Sequence, residues 1–166
     1  MDLDSNSRLG LKLRFVAVED CRSIWEWAND PTVRSVSFSS EPILWENHVK
    51  WFFAKLLDPN CLFFIVLDFE NIPIGQVRYQ IDGKEAVISV SLALDQRGKG
   101  YGSQAIQLAS ETVFRSTSVE LIHAHIKPEN LSSIQAFARA GFADAGFVDI
   151  HGNLARDYIM YRKIEQ

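Results

Sequence analysis

The chain has 166 residues, of which 47% are hydrophobic, 23% charged and 11% aromatic. This size and balance are typical of one globular domain and exclude an intrinsically disordered chain. The 17 basic and 21 acidic residues give a net charge of -4, which disfavours nucleic acid as a partner. The longest unbroken apolar run, residues 61–67, is far too short to cross a membrane.

The N-terminus and the cysteines indicate a cytoplasmic protein. The N-terminus is acidic and polar and has no apolar signal core. Neither Cys21 nor Cys61 has the spacing of a zinc site, and a disulfide between them is only weakly supported. We expect residues 1–10 to form a flexible tail and residues 11–166 a single domain that needs no metal. The sequence leaves open whether the protein forms a homodimer.

Hydrophobic periodicity and turn signals predict seven strands and four helices. The strands are expected over residues 11–18, 62–67, 72–81, 85–94, 119–126, 143–150 and 154–164. The helices are expected over residues 20–29, 43–57, 103–115 and 130–140, with Asp20 capping the first and Gly141 ending the last. Residues 35–40 are expected to be irregular. This order predicts an α/β fold with a mixed, largely antiparallel sheet, and its lack of regular βα alternation excludes a Rossmann domain.

The strongest chemical signal is the glycine-rich turn RGKGYG at residues 97–102, which lies between a predicted strand and a predicted helix. Glycines let the backbone approach a ligand closely, and the first N–H groups of a helix have no partner within the helix. With the helix dipole, and with Arg97 and Lys99 nearby, these groups predict a phosphate or pyrophosphate site. The spacing matches neither a Walker A loop nor a dinucleotide fingerprint. A plain strand-to-helix connection is the structural alternative.

Two motifs together resemble the GNAT superfamily of N-acyltransferases. VSLAL at residues 90–94, followed by the glycine-rich turn, resembles its acyl-CoA motif. NLSS at residues 130–133, followed by AFARAGF at residues 136–142, resembles its second motif. The resemblance covers residues 11–164 and implies the GNAT fold, acetyl-CoA as co-substrate and acetyl transfer to an amine.

The resemblance also implies which residues hold acetyl-CoA. In the family, the strand matching residues 86–94 splays from its neighbour after a bulge, and a strand amide polarises the thioester carbonyl. Leu92, Ala93 and Leu94 match these positions, with Leu92 as the catalytic amide. The implied pyrophosphate cradle consists of Arg97, Gly98, Lys99, Gly100, Tyr101, Gly102 and Ser103. Asn130, Ser133 and Phe137 match further cofactor-contacting positions.

Two departures from the family pattern concern Asp95 and Phe137. Asp95 stands where the stricter acyl-CoA pattern begins with Gln or Arg. Phe137 stands where many members have a tyrosine that protonates the departing thiolate, and a phenyl ring cannot donate a proton. Tyr79 and Tyr158 are candidate replacements for this phenol, although tyrosines in strands are more often packed aromatics.

A finer resemblance concerns the acceptor. Residues 27–34, 37–43 and 45–48 are similar to GNAT enzymes that acetylate amino groups on nucleotide-linked sugars, of the pseudaminic-acid type. This resemblance predicts a small-molecule amine acceptor such as a UDP-linked amino sugar. The candidate acceptor-binding residues are Arg34, Phe38, Glu41, His48, Arg78 and Tyr79.

The sequence does not decide which residue accepts the proton of the amine, and the candidates are Glu85 and a pair of histidines. Glu85 begins the cofactor strand and is either a base or an exposed turn residue. His123 and His125 share one face of a strand, and either can accept a proton or simply be a packed sheet histidine. We take Glu85 and His125 as the candidate bases. No further ligand accompanies the two histidines in the sequence, so no metal site is predicted.

Three other functions remain as alternatives to acetylation of an amino sugar. A related enzyme would acetylate a peptide N-terminus or a small amine such as a polyamine. A non-catalytic acyl-CoA-binding module is suggested by Phe137. A nucleotide-binding protein with a variant phosphate loop would bind ATP better than CoA.

Overall fold

The structure is a computed structural model that describes residues 10–165. The helices are α1 Cys21–Asn29, α2 Pro31–Val36, α3 Trp45–Leu57, α4 Tyr101–Ser116 and α5 Leu131–Arg139. The strands are β1 Lys12–Phe15, β2 Cys61–Leu67, β3 Pro73–Asp82, β4 Glu85–Leu92, β5 Leu121–Ile126, β6 Ala143–Ile150 and β7 Asn153–Tyr161. The predicted flexible tail falls on residues 1–9, outside the described residues, and on Gly10.

The seven strands form one sheet in the order β1-β2-β3-β4-β5-β7-β6. Every neighbouring pair is antiparallel except β4 and β5, which are parallel. This architecture confirms the predicted α/β fold with a mixed, largely antiparallel sheet. Among residues 10–165, no helix is long and apolar enough to cross a bilayer.

Alternation along the strands gives the sheet two apolar faces. In β2, Phe64 and Val66 belong to a core shared with α4 and α5, whereas Phe63 and Ile65 belong to a second core with α1 and α3. The helices therefore cover both faces of the sheet, α1 and α3 on one and α4 and α5 on the other.

The region between α1 and α3 differs from the prediction. Asp30 and Pro31 end α1 as expected, but they also start the short helix α2, where irregular chain was expected from residue 35. The Asp30 carboxylate accepts hydrogen bonds from the N–H groups of Thr32 and Val33, at 2.9 and 3.4 Å, and so caps α2. A proline in the first turn needs no N–H partner, which is why one residue pair both stops one helix and starts the next.

The predicted capping role of Asp20 is wrong. Its side chain does not cap α1 but forms a bidentate pair with the Arg14 guanidinium, with both N–O distances at 2.8 Å. It also accepts a hydrogen bond from the Ala17 N–H. The guanidinium of the first strand is thus a stronger partner for Asp20 than the helix N–H groups. Gly141, by contrast, follows α5 with φ +103° and ends it as predicted.

Candidate active site

The parallel strands β4 and β5 separate soon after they begin. Their pairing covers only Glu85, Ala86 and Val87 on β4. Beyond that point the two strands diverge and leave a V-shaped opening in the middle of the sheet. The register of β4 with β3 runs without a shift from Leu92 to Glu85, so the implied bulge is absent from this pairing and the opening comes from the divergence alone.

The backbone of β4 presents free groups to this opening. The Ala93 N–H donates to the Ile74 carbonyl across the β3–β4 pair, at 2.8 Å. Because successive residues of an antiparallel ladder bond to opposite sides, Val90 and Leu92 direct their backbone groups away from β3 and into the opening. The Leu92 N–H is thus directed into the opening, and its role as the catalytic amide stays a prediction. The Ala93 amide is already bonded, and Leu94 lies in an exposed turn, so these two offer no free strand N–H.

Two cavities meet in the opening. The one beside Gly98, Gly100 and Gly102 measures about 440 Å³ and is called the glycine cavity. The other, beside Arg34 and Arg78, measures about 550 Å³ and is called the arginine cavity. Residues lining both are Val33, Val36, Ser37, Val90, Ser91, Asn130 and Ser133. Two molecules bound in these cavities would touch at β4, which is the geometry that a transfer between them requires.

The glycine-rich turn is shaped for an anion. Gly98 and Gly100 have φ angles of +74° and +81°, and a Cβ atom on either would meet nothing within 4 Å. Within the described residues, the N–H groups of Gly98, Lys99 and Gly100 donate to no protein acceptor. α4 begins at Tyr101, so the positive end of its dipole lies at the same place. These open N–H groups fit the diphosphate of acetyl-CoA.

The side chains of the turn contribute less than its backbone. The Arg97 guanidinium turns inward: it donates to the Leu92 carbonyl, from Nη2 at 3.0 Å and from Nε at 3.3 Å, and approaches Asp30 at 3.4 Å. Arg97 thus joins the end of β4 to the cap of α2, and it also lines the glycine cavity, where its role as a phosphate ligand stays a prediction. Tyr101 packs on the core, and Ser103 donates to the Gly100 carbonyl. Lys99 is exposed and lines neither cavity.

The start of α5 borders both cavities. The Asn130 side-chain oxygen accepts a hydrogen bond from the Ser133 N–H, at 3.3 Å, and so caps α5. Within the described residues, no partner is found for the Asn130 amide nitrogen, which stays free to donate to a ligand. Phe137 lies one turn further on, is buried against Phe142 and lines the arginine cavity.

Arg78 is the most unusual group of the arginine cavity. Its guanidinium lies 4.8 Å from the Trp51 ring centroid and 6.0 Å from that of Phe63, a cation–π arrangement. Burial lowers the pKa of Arg78. No carboxylate pairs with it among residues 10–165. On the same strand the Gln76 side chain donates to Ser91, while its buried carbonyl oxygen has no partner.

The other predicted acceptor residues divide into two groups. Arg34, Phe38 and His48 line the arginine cavity, but Arg34 is occupied by three backbone carbonyls and the Ser37 hydroxyl. The His48 Nε2 lies 2.8 Å from the Cys21 carbonyl, and burial lowers the pKa of His48. Both therefore hold the cavity wall rather than present a free charge.

Glu41 and Tyr79 do not reach the cavities, so their prediction as acceptor residues is wrong. Glu41 is exposed and only its backbone carbonyl makes a contact, with Arg34. Tyr79 is fully buried on the opposite face of the sheet, where its hydroxyl bonds the Ser110 hydroxyl at 2.9 Å. Burial also raises the pKa of Tyr79. Tyr158 lies in the same core, and no tyrosine of the described chain lines either cavity.

The two candidate bases lie at different distances from the opening. His125 lines the arginine cavity, where burial lowers its pKa in spite of the nearby Asp157 carboxylate. Glu85 lies where β4 and β5 are still paired, lines neither cavity and is largely exposed. His123 lies between them, bonded to Asp157 through Nδ1 at 2.9 Å. The ligand atoms of His123, His125 and Asp157 lie within 4.8 Å of one another, so Asp157 is a further possible ligand that the sequence did not place beside the two histidines. The contacts made are the His123–Asp157 hydrogen bond and the His125–Asp157 approach, and no metal is assigned to the cluster.

Sequence reasoning missed the cavity residues Gln76, Ser91 and Lys127, and it missed Asp157, which lies beside the cavity-lining His125. A polar residue at a buried strand position was the available signal for Gln76. No sequence signal points to Asp157, because its place opposite His125 depends on how β5 and β7 pair.

Known proteins match this architecture. Residues 10–143 match the model of the acetyltransferase (GNAT) domain family. Two relatives from Bacillus subtilis (strain 168) carry the names of uncharacterised N-acetyltransferases. YobR is 27% identical over 139 residues, covering 74% of this chain and 55% of YobR, and YnaD is 25% identical over 140 residues, covering 82% of this chain and 81% of YnaD. The chain thus spans only about half the length of YobR.

Solved structures share the fold at low sequence identity. The aminoglycoside acetyltransferase AAC(6')-Ib, in complex with ribostamycin and coenzyme A, is 20% identical and has a TM-score of 0.82, with 92% of this chain and 93% of the other covered. The spermidine N-acetyltransferase from Vibrio cholerae, with CoA and spermine, is 22% identical and has a TM-score of 0.80, with 91% and 95% covered.

The chain belongs to the GNAT acetyltransferase domain family, because the family model matches most of its length. The enzyme class that this family and these relatives define is the acetyl-CoA-dependent N-acetyltransferase, which is the predicted class. None of these similarities supports the pseudaminic-acid type of acceptor specifically.

Proposed function

We propose that the protein transfers the acetyl group of acetyl-CoA to the primary amine of a nucleotide-linked amino sugar, by direct attack in a ternary complex. Acetyl-CoA occupies the glycine cavity and the acceptor occupies the arginine cavity. The observation that carries the acceptor class is Arg78, a cavity-lining guanidinium with no carboxylate partner in the described chain.

The charges of the arginine cavity support an anionic acceptor. Its lining contains no Asp or Glu, whereas three of its side chains are cations, namely Arg34, Arg78 and Lys127. Arg34 is already bonded to the chain, so Arg78 and Lys127 remain for a ligand. A diphosphate suits them because phosphate oxygens accept charge-assisted hydrogen bonds from a guanidinium. Polycations such as spermine or an aminoglycoside would meet only like charge and neutral groups there.

The roles on the cofactor side follow from the backbone. The Leu92 N–H faces the opening and stabilises the charge that develops on the acetyl oxygen. The open amides of the glycine-rich turn hold the diphosphate, and the Asn130 amide nitrogen donates to the pantetheine arm. Since no tyrosine lines the cavities, the departing thiolate takes its proton from water.

We also propose a cytoplasmic location. Acetyl-CoA is an intracellular metabolite, and Cys21 and Cys61 are both free thiols, as is usual in a reducing compartment.

The test is an acceptor panel with release of the CoA thiol as the readout. The acceptors are a UDP-linked amino sugar, the same amino sugar without its nucleotide, a peptide with a free N-terminus, and spermidine. We expect the highest kcat/KM for the nucleotide-linked sugar. Replacing Arg78 by Gln should lower that value about 10–100-fold, the worth of a charge-assisted hydrogen bond to a buried partner.

A matched control separates this effect from a general loss of charge. Arg22→Gln removes one positive charge from exposed helix surface and should leave kcat/KM unchanged. Preference for spermidine, or for the sugar without its nucleotide, would refute the diphosphate acceptor. Binding of acetyl-CoA without turnover on any amine would instead favour the acyl-CoA-binding module, and preference for the peptide would favour an N-terminal acetyltransferase.

A further inference from the structure

Four titratable side chains form a continuous row on one face of the sheet. His125 borders the arginine cavity, Asp157 lies opposite it on β7, and His123 and Glu85 continue the row toward solvent. The His125 Nε2 lies 3.8 Å from the Asp157 Oδ1, and the His123 Nδ1 lies 2.9 Å from the Asp157 Oδ2. Neither Asp157 nor His123 lines a cavity.

We propose that Asp157 is a positioning residue that prepares His125 to take the proton of the acceptor amine, and that His123 holds Asp157 in place. The proposal rests on the proposed transfer to an amine. It adds two residues that touch neither substrate.

The hydrogen-bonding capacity of the row supports this arrangement. An ionised carboxylate only accepts, so the His123 nitrogen facing Asp157 carries the proton. This bond fixes the Asp157 carboxylate between the two rings. The remaining nitrogen of His123, Nε2, is buried without a hydrogen bond and lies 3.4 Å from the Glu85 carboxylate, too far for a good bond. Such an unsatisfied buried nitrogen is costly in a merely structural cluster.

In the proposed arrangement, neutral His125 carries its proton on Nε2, the nitrogen nearer Asp157. With Nε2–H directed at Asp157, its Nδ1 has the lone pair that accepts a proton. At 3.8 Å the two groups attract without a full hydrogen bond, and the attraction strengthens once His125 becomes a cation. This is the chemistry of a carboxylate that orients an imidazole base and stabilises the imidazolium.

The step balances without another reactant. The amine nitrogen forms a bond to the acetyl carbon while the bond from that carbon to sulfur breaks. One amine proton passes to His125, which later releases it to water, and the thiolate takes one proton from water. The products are the amide and the free thiol of CoA.

The surroundings of His125 determine the sign of the pH effect. Burial lowers its pKa, Asp157 raises it and His123 lowers it. The charged and titratable groups that share its face or its cavity are Asp157, His123, Glu85, Arg78, Lys127, Arg34 and His48. Removing the carboxylate should therefore lower the pKa of His125 further, so the acid limb of kcat/KM should move to lower pH.

The experiment compares Asp157→Asn with the wild type across pH. Asparagine keeps the shape and can still accept the His123 hydrogen bond, so the fold should survive. We expect kcat to fall about tenfold or more and the acid limb to move down by about one pH unit, with the KM for acetyl-CoA unchanged. His123→Gln should cause a smaller loss of kcat in the same direction. Asp144→Asn, which removes a carboxylate paired with Arg156 elsewhere in the sheet, is the matched control.

Two results would overturn the proposal. One is an unchanged kcat in Asp157→Asn. The other is a loss of kcat with an unmoved acid limb, because a purely structural role predicts that pattern. A wild type that acetylates no amine would refute the proposed function, and NMR titration of the imidazole rings then decides the inference separately. An unchanged His125 pKa in Asp157→Asn would refute it, and a lowered one would support it.

Discussion

The glycine-rich turn allows a sharp test of charge at Gly100, which directly precedes α4. Its φ of +81° is accessible to Asn and Asp with similar strain, and a Cβ there meets nothing within 4 Å. Gly100→Asn and Gly100→Asp therefore change the backbone alike and differ by one negative charge. Two unit charges about 5 Å apart repel by about 3 kcal/mol at an effective dielectric constant of about 20.

Exposure of the turn reduces this figure. Allowing for solvent, we expect about 1.5–3 kcal/mol between the two variants, which is about a 10–100-fold weaker Kd for acetyl-CoA in Gly100→Asp than in Gly100→Asn. Isothermal calorimetry at low salt measures both values. The ratio should shrink as salt is raised, because the Debye length falls to about 3 Å at 1 M. Equal affinities for the two variants would show that the diphosphate does not lie at this turn.

Three further predictions concern stability. Gly75→Ala should lower the melting temperature by about 5–10 °C, since its Cβ would lie 2.5 Å from a carbonyl oxygen of β4; an unchanged value would contradict that close approach. Asp20→Asn should cost about 1–3 kcal/mol in urea unfolding at pH 7 by breaking the Arg14 pair. Burial raises the pKa of Asp20, but hydrogen bonds and the Arg14 charge outweigh it, so the folded pKa lies below the unfolded value. The stability it contributes is thus fully present above the unfolded pKa of about 4 and is lost as the pH falls through the lower folded pKa, so the stabilities of the two proteins should converge on acidification. Tyr79→Phe should lower the unfolding free energy by about 1–2 kcal/mol while leaving kcat intact, because Tyr79 bonds only Ser110; a large loss of kcat would return Tyr79 to the site.

The backbone of the glycine-rich turn was predictable because its signals are local. Gly98 and Gly100 are needed where the backbone turns left-handed, and the strand and helix around them show their own periodicity. The start of α5 near Asn130 is likewise a local feature, since the capping contact joins Asn130 to Ser133 only three positions on. Such features depend on a few consecutive positions, so they can be read without knowing what lies beside them.

The role of a long side chain was less predictable. Arg97 has the charge and the place of a phosphate ligand, yet its guanidinium reaches back to Leu92 and to Asp30, 67 positions away. Tyr79 was a reasonable candidate acid, but the alternation of β3 turns it to the α4 face. A shift of one residue in the strand register would move a side chain from the core face to the cavity face. The register is set by how two strands pair and not by either strand alone.

The sequence alone determined the glycine-rich turn, the order of the elements apart from the short helix α2, and the class of enzyme they define. Only the tertiary structure decided where β4 and β5 separate, which arginine lacks a carboxylate, and which acid faces His125. Propensity, capping and turn chemistry act over a few residues of chain, whereas these contacts join segments of chain 30 or more positions apart, such as His123 and Asp157. They form only when the whole sheet is assembled, so the acceptor side of the site has no local signature.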